Sequence, residues 1–197
     1  PQKGSVEMDF DEAMYQYGKQ LRQTDPEAAK AAQAQSDNRL ANLCRQFSEP
    51  FGMEISEQNT PQIYLLLRDA VITCVKTVIG PKEFYRRPRP FAYYQEGTLM
   101  PDREGMLQQN GSFPSGHTLR GWATALLLTE INPAAANELL KKGYQYGQSR
   151  VISGYHWQSD VNAARLVAAA AVAQCHNSER FQRQMKKAKK EFAKLSK

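Results

Sequence analysis

Residues 59–80, NTPQIYLLLRDAVITCVKTVIG, indicate an α-helix whose two ends are marked in the sequence. Thr60 is a capping residue and Pro61 follows it at the first helical position, a combination that is favoured where helices begin. Gly80 marks the place where the helix is expected to stop. The apolar run between them is not an alternating one, so this stretch favours a helical fold over one built on a sheet.

The same start signal recurs elsewhere, at Asp25-Pro26 in TDPEAAKAAQAQ and at Asn132-Pro133 in INPAAANELLKKGYQYGQSR. Before them, FDEAMYQYGKQLRQ carries apolar residues at helical spacing. We therefore predict helices at these places and, in addition, over about 38–47, 117–130, 156–175 and 178–195.

No stretch alternates as a strand does, and no repeat or linker divides the 197 residues. Residues 91–114 are rich in Gly, Pro and Asn and are predicted to form one long loop, a feature that is often functional in a compact domain. The sequence thus predicts an all-α protein with a single domain over 1–197, in which residues 1–10 are an extended or flexible start.

The composition is that of a globular protein, with 41% hydrophobic and 23% charged residues and a net charge of +6. The longest apolar run, LVAAAAVA at 166–173, is far shorter than the roughly 20 residues of a membrane span. We expect no membrane span, and no signal peptide is visible in the sequence.

The segment KEFYRRPRP, residues 82–90, combines four cations with two prolines. Pro90 disfavours helical geometry at Arg89, and Pro88 does the same at Arg87. Because arginine's planar fork suits the oxygens of a phosphoryl group, Lys82 and Arg89 are candidate ligands of an oxyanion.

The segment NGSFPSGHT, residues 110–118, precedes a predicted helix. Backbone N–H groups at a helix start, here that of Gly116, favour a bound anion, and the Ser115 hydroxyl adds a donor. His117 lies in the first turn, where it can reach the bound group.

The segment SRVISGYHWQSD, residues 149–160, adds Arg150 and a histidine-aspartate pair. His156 and Asp160 are four residues apart and are expected on one face of the next helix. A carboxylate that accepts from one imidazole nitrogen leaves the other as a free lone pair, which prepares a nucleophile or base. Together the three segments predict a phosphate site, although the residues alone leave open which histidine attacks.

The order and spacing of Lys82, Arg89-Pro90, Pro114-Ser115-Gly116-His117, Ser149-Arg150, His156 and Asp160 resemble the three-part signature of the type 2 phosphatidic acid phosphatase superfamily, which includes the vanadium haloperoxidases. Longer stretches, such as GWATALLLTEINP and SRVISGYHWQSDVNAAR, are similar to the bacterial class A nonspecific acid phosphatases. The resemblance covers most of the chain and implies a helical bundle of the acid phosphatase and vanadium haloperoxidase type.

The resemblance also implies roles for these residues. His156 would be the nucleophile that forms a phosphohistidine, Asp160 would orient it, and His117 would protonate the leaving group. The phosphoryl oxygens would be held by Lys82, Arg89, Ser115, Gly116 and Arg150.

The implied activity is hydrolysis of a broad range of phosphate monoesters, without a metal or other cofactor. Its partners would be small phosphorylated substrates, with phosphate or vanadate as inhibitors and no nucleic acid. The resemblance further implies a homodimer and a periplasmic or secreted location. Because His117 must be protonated in the first step, we expect an acidic-to-neutral pH optimum.

The sequence departs from the class A pattern in one respect, and other functions remain as alternatives. A disulfide typical of the class A group is absent, since no cysteine lies between 75 and 174. The same site could serve a phosphotransferase, a nucleotide diphosphohydrolase or a vanadium haloperoxidase, although haloperoxidases are usually longer, and a membrane lipid phosphatase is disfavoured by the lack of spans. Rival classes are a nucleic-acid binding module, an iron or zinc site on the histidines, and a serine hydrolase using Ser115, His156 and Asp160.

Overall fold

The computed structural model describes residues 1–197 and consists of α-helices, short 3₁₀ turns and connecting loops, as predicted. The helices are α1 (Val6–Thr24), α2 (Pro26–Ala34), α3 (Leu40–Phe51), α4 (Pro61–Lys76), α5 (Ile79–Tyr85), α6 (Pro90–Tyr94), α7 (Glu104–Gln108), α8 (Gly116–Ile131), α9 (Ala136–Ile152), α10 (Gln158–Cys175) and α11 (Glu179–Leu195).

Helix α8 lies at the centre of the bundle and contacts α4, α9, α10 and α11. Its contact with α9 is close because two glycines lie in it. A Cβ at Gly121 would come within 2.5 Å of the Tyr146 ring, and one at Gly143 within 2.6 Å of the Ala125 Cβ. The start of α8 and the end of α9 are therefore held firmly side by side, and both contribute to the site described below.

The main core is a cluster of 26 buried apolar residues, contributed mainly by α3, α4, α8 and α10. Helix α11 adds Phe181, Met185 and Ala188 from its apolar face, while its lysines are exposed. Glu191 of α11 accepts the backbone N–H groups of Gln62 and Ile63 at 2.9 Å each, so it caps the start of α4. This contact pins the C-terminal helix to the core.

The start signals marked the beginning of α2 and α4 correctly, although the Thr60 side chain does not cap α4. Several predicted bounds differ, and α3 extends to Phe51. Helix α1 begins at Val6, inside the segment predicted as an extended or flexible start, because Ser5 caps it by accepting the Met8 N–H. Helix α4 ends at Lys76, and the chain through Gly80 belongs to α5 instead. After Asn132, a 3₁₀ turn at Pro133–Ala135 precedes α9.

The prediction of a single loop over 91–114 was wrong. This segment contains the rest of α6, a 3₁₀ turn at Pro101–Arg103 and α7. Glu104 accepts the Thr98 N–H at 2.7 Å, and the Leu99 N–H donates to the Ser153 carbonyl at 3.1 Å. The segment is thus folded against the body of the protein next to the site.

All three cysteines are free. No helix combines the length and the apolar character needed to cross a membrane.

Candidate active site

His156 lies in the turn that joins α9 to α10, with its ring buried. Gly154 makes the turn possible with φ +82°, and the N–H of Tyr155 returns to the Arg150 carbonyl at 3.0 Å. The prediction that α10 includes His156 was wrong, because the helix begins at Gln158. Asp160 reaches back over the helix start and accepts the Trp157 N–H at 2.9 Å. The pair therefore meets across a helix N-terminus.

The contacts of His156 define which ring nitrogen is free. Nδ1 lies 3.3 Å from Oδ2 of Asp160 and 3.2 Å from Oγ of Ser112. Nε2 lies 3.1 Å from a terminal nitrogen of Arg89. Because a guanidinium can only donate, Nε2 must be the acceptor and the proton must sit on Nδ1. The lone pair of Nε2 thus faces the cations.

The imidazole is neutral in this environment. Burial, followed by the charge of Arg89, lowers the pKa of His156 to about 3, although the hydrogen bond to Asp160 acts in the opposite direction. The ring therefore keeps its nucleophilic lone pair throughout the mildly acidic range.

Asp160 is fully buried and its two oxygens have separate partners. Oδ2 accepts from His156, from Trp157 and from the Ser112 hydroxyl, whose Oγ lies 2.5 Å away. Oδ1 accepts from Arg87 at 2.7 Å. Burial alone would raise the pKa of Asp160, but the hydrogen bonds from His156 and Ser112 and the charge of Arg87 outweigh it, so the pKa lies below its usual value.

Arg89 is held rigidly beside the nucleophile. Its backbone is extended, with φ −76° and ψ 154°, as predicted from the proline that follows it. Nε donates to the Leu107 and Asn110 carbonyls at 2.9 and 3.1 Å, and a terminal nitrogen donates to Tyr155 O at 3.0 Å. Burial lowers the pKa of Arg89 only to about 10, so the side chain stays charged.

Arg87 does not join the anion-binding cations, although the proline that follows it disfavours helical geometry there just as Pro90 does at Arg89. Its guanidinium binds Asp160 on one side and Asp11 of α1 on the other, at 2.7 Å each, and stacks over Trp157. Arg87 is thus paired with both carboxylates, and it contacts Asp160 through the oxygen that does not face His156.

Lys82 approaches Arg89 from α5. Its ammonium donates to the carbonyl of Gly111 at 2.5 Å and to that of Ser112 at 3.3 Å. Burial, and next the charge of Arg89, lower the pKa of Lys82 to about 7. An anion placed between the two cations would relieve this repulsion.

The start of α8 faces the same region. Gly116 lies close to Lys82, since a Cβ on it would come within 3.9 Å of the Lys82 Cε. Ser115 caps the helix by accepting the Thr118 N–H at 3.3 Å, and its own N–H donates to the Asp160 carbonyl at 3.1 Å. The first-turn N–H group of Gly116 has no partner within the helix and is available to an anion.

His117 stacks on Tyr146, with ring centroids 4.8 Å apart. Its Nε2 contacts the carbonyl of Gln35, which can only accept, so Nε2 carries a proton and Nδ1 is the free nitrogen. Burial, followed by the charge of Arg150, holds the pKa of His117 well below its usual value. His117 is therefore neutral in this environment.

Arg150 is buried in the last turn of α9. It donates to Ser149 Oγ at 3.1 Å and to the Ala32 carbonyl at 2.9 Å. Burial lowers the pKa of Arg150 to about 10, so it remains a cation. The structure thus gathers the predicted residues where α5, α6 and α8 to α10 meet.

Four residues of this arrangement were not predicted, namely Ser112, Arg87, Asp11 and Gln35. Ser112 lies inside a segment that the sequence singled out, but nothing in the pattern distinguished it. Asp11 and Gln35 come from α1 and the end of α2, and no local signal places them beside residues that follow them by 76 to 148 positions.

The chain is similar to proteins of known family. The sequence model described as the PAP2 superfamily matches residues 63–183. The chain is 47% identical over 198 aligned positions to a non-specific acid phosphatase of Providencia stuartii, which covers 100% of this chain and 79% of that protein. It is 38% identical over 164 positions to a non-specific acid phosphatase of Salmonella typhimurium, covering 83% and 66%. An acid phosphatase of Zymomonas mobilis is 33% identical over 195 positions, covering 98% and 73%.

Proposed function

Because this chain belongs to the PAP2 superfamily, and within it to the class A nonspecific acid phosphatases, we propose that it is a metal-independent acid phosphatase acting through a phosphohistidine. The substrates would be phosphate monoesters of broad range, and residues 1–197 would form one catalytic domain. The observation that carries the proposal is the fixed tautomer of His156, with Nδ1–H held by Asp160 and Ser112 and the Nε2 lone pair facing Arg89.

The phosphoryl group would bind among three cations, Lys82, Arg89 and Arg150, with the N–H of Gly116 and the Ser115 hydroxyl as further donors. Preorganised charges of this kind stabilise the oxygens of the transferring group in the transition state. The incoming phosphoryl oxygens would accept the hydrogen bond that Arg89 otherwise donates to Nε2 of His156. The Nε2 lone pair would then be free to attack only when an anion occupies the site.

In the first step, Nε2 of His156 forms a bond to phosphorus as the P–O bond to the leaving group breaks. The imidazole becomes positively charged, and Asp160 stabilises this charge through Nδ1–H. The leaving oxygen takes a proton from Nδ1 of His117, since Nε2 of that ring remains bound to the Gln35 carbonyl. The products of this step are the free alcohol and phosphohistidine.

In the second step, Nδ1 of His117 accepts a proton from water as the water oxygen attacks phosphorus. The P–N bond breaks, inorganic phosphate leaves, and His156 returns to its neutral form. Each turnover consumes one water and needs no other reactant.

The low pKa of His117 sets a condition on this cycle, because the ring must carry a proton in the first step. A phosphate anion placed beside His117 and Arg150 adds negative charge, which raises the pKa of the imidazole. Substrate binding would therefore favour protonation of His117, the general acid. This supports an acidic-to-neutral pH optimum of activity.

The charge of the site argues against the rival metal centre. The charges of Arg89 and Lys82 act on His156, and a divalent ion would have to bind against their repulsion. In addition, no group of three or more His, Cys, Asp or Glu side chains is placed so that it could hold a metal ion.

The test is hydrolysis of an aryl phosphate by the wild type, His156→Ala and His176→Ala. His176 is a matched control because it lies on the surface and pairs with Glu130, away from the site. We expect loss of activity only in His156→Ala, no effect of chelator, inhibition by phosphate and vanadate, and an acid-labile phosphoenzyme in rapidly quenched wild type. Retained activity in His156→Ala would refute the proposed nucleophile.

Two further expectations rest on the family resemblance alone, namely a homodimer and a periplasmic or secreted location. Sedimentation of the purified protein and fractionation of the source cells would test them separately.

A further inference from the structure

His117, the general acid of the proposed mechanism, is stacked on an aromatic ring. Its imidazole and the ring of Tyr146 are nearly parallel, with an interplanar angle of 7° and ring centroids 4.8 Å apart. Two flat rings adopt this offset arrangement when their faces are in contact. His117 belongs to the first turn of α8 and Tyr146 to α9, so the contact lies between the two helices that pack most closely.

Tyr146 is held in place by its ring and not by its hydroxyl. The side chain is fully buried, packs against α8 at Gly121, and has the ring of Phe47 from α3 as another neighbour, with centroids 6.1 Å apart. The hydroxyl is buried as well but has no hydrogen-bond partner. The ring is therefore the part of Tyr146 that can act on His117.

The stacking fixes the plane of the imidazole. Within that plane, Nε2–H of His117 donates to the Gln35 carbonyl, so Nδ1 lies on the side of the ring away from Gln35. Rotation of the ring about its bond to Cβ would break both the stacked contact and this hydrogen bond. The two contacts together set the direction of Nδ1, the atom that gives the leaving oxygen its proton in the proposed cycle.

Titratable and charged groups on several elements face His117. Arg150 of α9, Arg120 of α8 and His156 of the turn before α10 disfavour its protonation, while the Gln35 carbonyl that follows α2 favours it. Burial, followed by the charge of Arg150, holds the pKa of His117 well below its usual value. Arg150 lies one turn after Tyr146, so α9 presents both a cation and an aromatic face to the same imidazole.

The aromatic face has the opposite effect to the cation. The π-electrons make the face of an aromatic ring negative, and a cation placed over that face is attracted to it. An imidazolium stacked on Tyr146 is therefore stabilised relative to the neutral imidazole. Burial raises the pKa of Tyr146 to about 12, so the phenol stays neutral and acts through its ring electrons.

We propose that Tyr146 is a positioning residue for the reaction, whose ring face directs Nδ1 of His117 toward the leaving oxygen and stabilises the imidazolium that donates the proton. The inference rests on the proposed function for the role of His117 as the acid. In the first step the proton passes from Nδ1 to the leaving oxygen, and the imidazole stays stacked as a neutral ring. In the second step Nδ1 takes a proton from water, and the same face stabilises the imidazolium that forms.

Nitrogen NMR tests the contact without any need for turnover. The chain has three histidines, so the signals of His117 can be assigned with His117→Asn. The pKa of His117 would be measured in saturating sulfate, an anion of constant charge. We expect Tyr146→Leu to lower it by about half to one pH unit, because the attraction between the cation and the ring face is lost.

Two further replacements at position 146 separate the ring face from the hydroxyl and from packing. Tyr146→Phe retains the ring and should leave the pKa of His117 unchanged. Trifluorophenylalanine at the same position keeps the shape of the ring but withdraws electrons from its face. It should lower the pKa of His117 as leucine does, in a protein whose core remains filled.

Kinetics test the same contact in the reaction. With an alkyl phosphate, kcat falls as the pH rises, because only the protonated His117 can act as the acid. In Tyr146→Leu this fall should move to lower pH by the amount that NMR measures. Release of p-nitrophenolate from the aryl ester in the first turnover needs no acid, and its rate should change less than about twofold.

Phe47→Leu is the matched control, since it also replaces a buried aromatic ring that neighbours Tyr146. It should lower the Tm, as Tyr146→Leu does, but leave the pKa of His117 and the kcat–pH profile unchanged.

The results distinguish this proposal from the proposed function. The same pKa of His117 with tyrosine, leucine and trifluorophenylalanine at position 146 would overturn the role of the ring face. Equal slowing of alkyl and aryl esters in Tyr146→Leu, matched by Phe47→Leu, would also overturn it. A pKa that depends on the ring, in a protein without phosphatase activity, would uphold the effect of Tyr146 on His117 and refute the proposed function.

Discussion

Arg87 binds Oδ1 of Asp160 at 2.7 Å, on the side of the carboxylate away from His156. Its second terminal nitrogen binds Asp11 of α1, also at 2.7 Å. Asp11 in turn accepts the N–H of Ser159 at 2.7 Å. The first helix is thereby joined to the carboxylate that fixes the nucleophile.

Replacing Arg87 with methionine should destabilise the fold, because it leaves two fully buried carboxylates without their shared cation. Breaking a buried ion pair in this way costs about 3–5 kcal/mol. Arg86→Met is the control, since that neighbour is exposed and binds no carboxylate. Urea unfolding would measure the difference, and equal stability of the two variants would contradict the assigned role.

The loss of Lys82's charge should weaken anion binding as the pH rises through about 7, to which burial and the charge of Arg89 lower the pKa of this side chain. A bound anion stabilises the protonated amine, so affinity is full below that pH and falls above it. Sulfate is the suitable probe because its own charge stays constant over the range. Its inhibition constant, measured from pH 5 to 9, would show the effect.

Lys82→Arg separates this titration from that of other groups, because arginine stays protonated. The ratio of the wild-type and variant inhibition constants should be flat below about pH 6 and should rise above about pH 7. A flat ratio over the whole range would show that Lys82 does not titrate there.

Gly111 allows the chain after α7 to touch α5, and this contact holds the ammonium of Lys82. A Cβ at this position would lie 2.5 Å from the Lys82 carbonyl and 3.3 Å from the Arg86 Cα. Gly111→Ala should therefore push the two segments apart, at a cost of about 1–3 kcal/mol, and raise KM about tenfold. Gly105→Ala in the same region is the control, since nothing lies within 4 Å of its added Cβ. Steady-state kinetics on an aryl phosphate would decide, and equal KM values for the two variants would count against it.

Helix starts that carry a local signal could be predicted from the sequence. The ends of the helices and the contacts between residues of the candidate active site depend on the tertiary structure and could not. Asp25 caps α2 through its own side chain, so the signal and the contact are both local. His156 was wrongly placed in a helix because periodicity does not show that Asp160 folds back to the Trp157 N–H. Gln35 was missed because it contacts His117 through its backbone carbonyl, for which the residue type gives no sign.

His117 is expected to matter most for substrates whose leaving group needs a proton. An alkoxide is a strong base, so His117→Ala should slow hydrolysis of an alkyl phosphate about 10²–10⁴-fold. p-Nitrophenolate leaves without protonation, so its release from the aryl ester should be much less affected. The second step still lacks its base, and the variant should release about one equivalent of p-nitrophenol in a burst while phosphohistidine accumulates.

Gln35→Ala is the control, because His117 binds the main-chain carbonyl, which this substitution retains, and Oε1 of Gln35 has no hydrogen-bond partner. It should keep wild-type selectivity between the two esters. Stopped-flow measurement of the burst, with acid-labile phosphate counted in the quenched protein, checks both steps. Equal slowing of the alkyl and aryl esters in His117→Ala would mean that His117 only shapes the site, and the proton would then have to come from another donor.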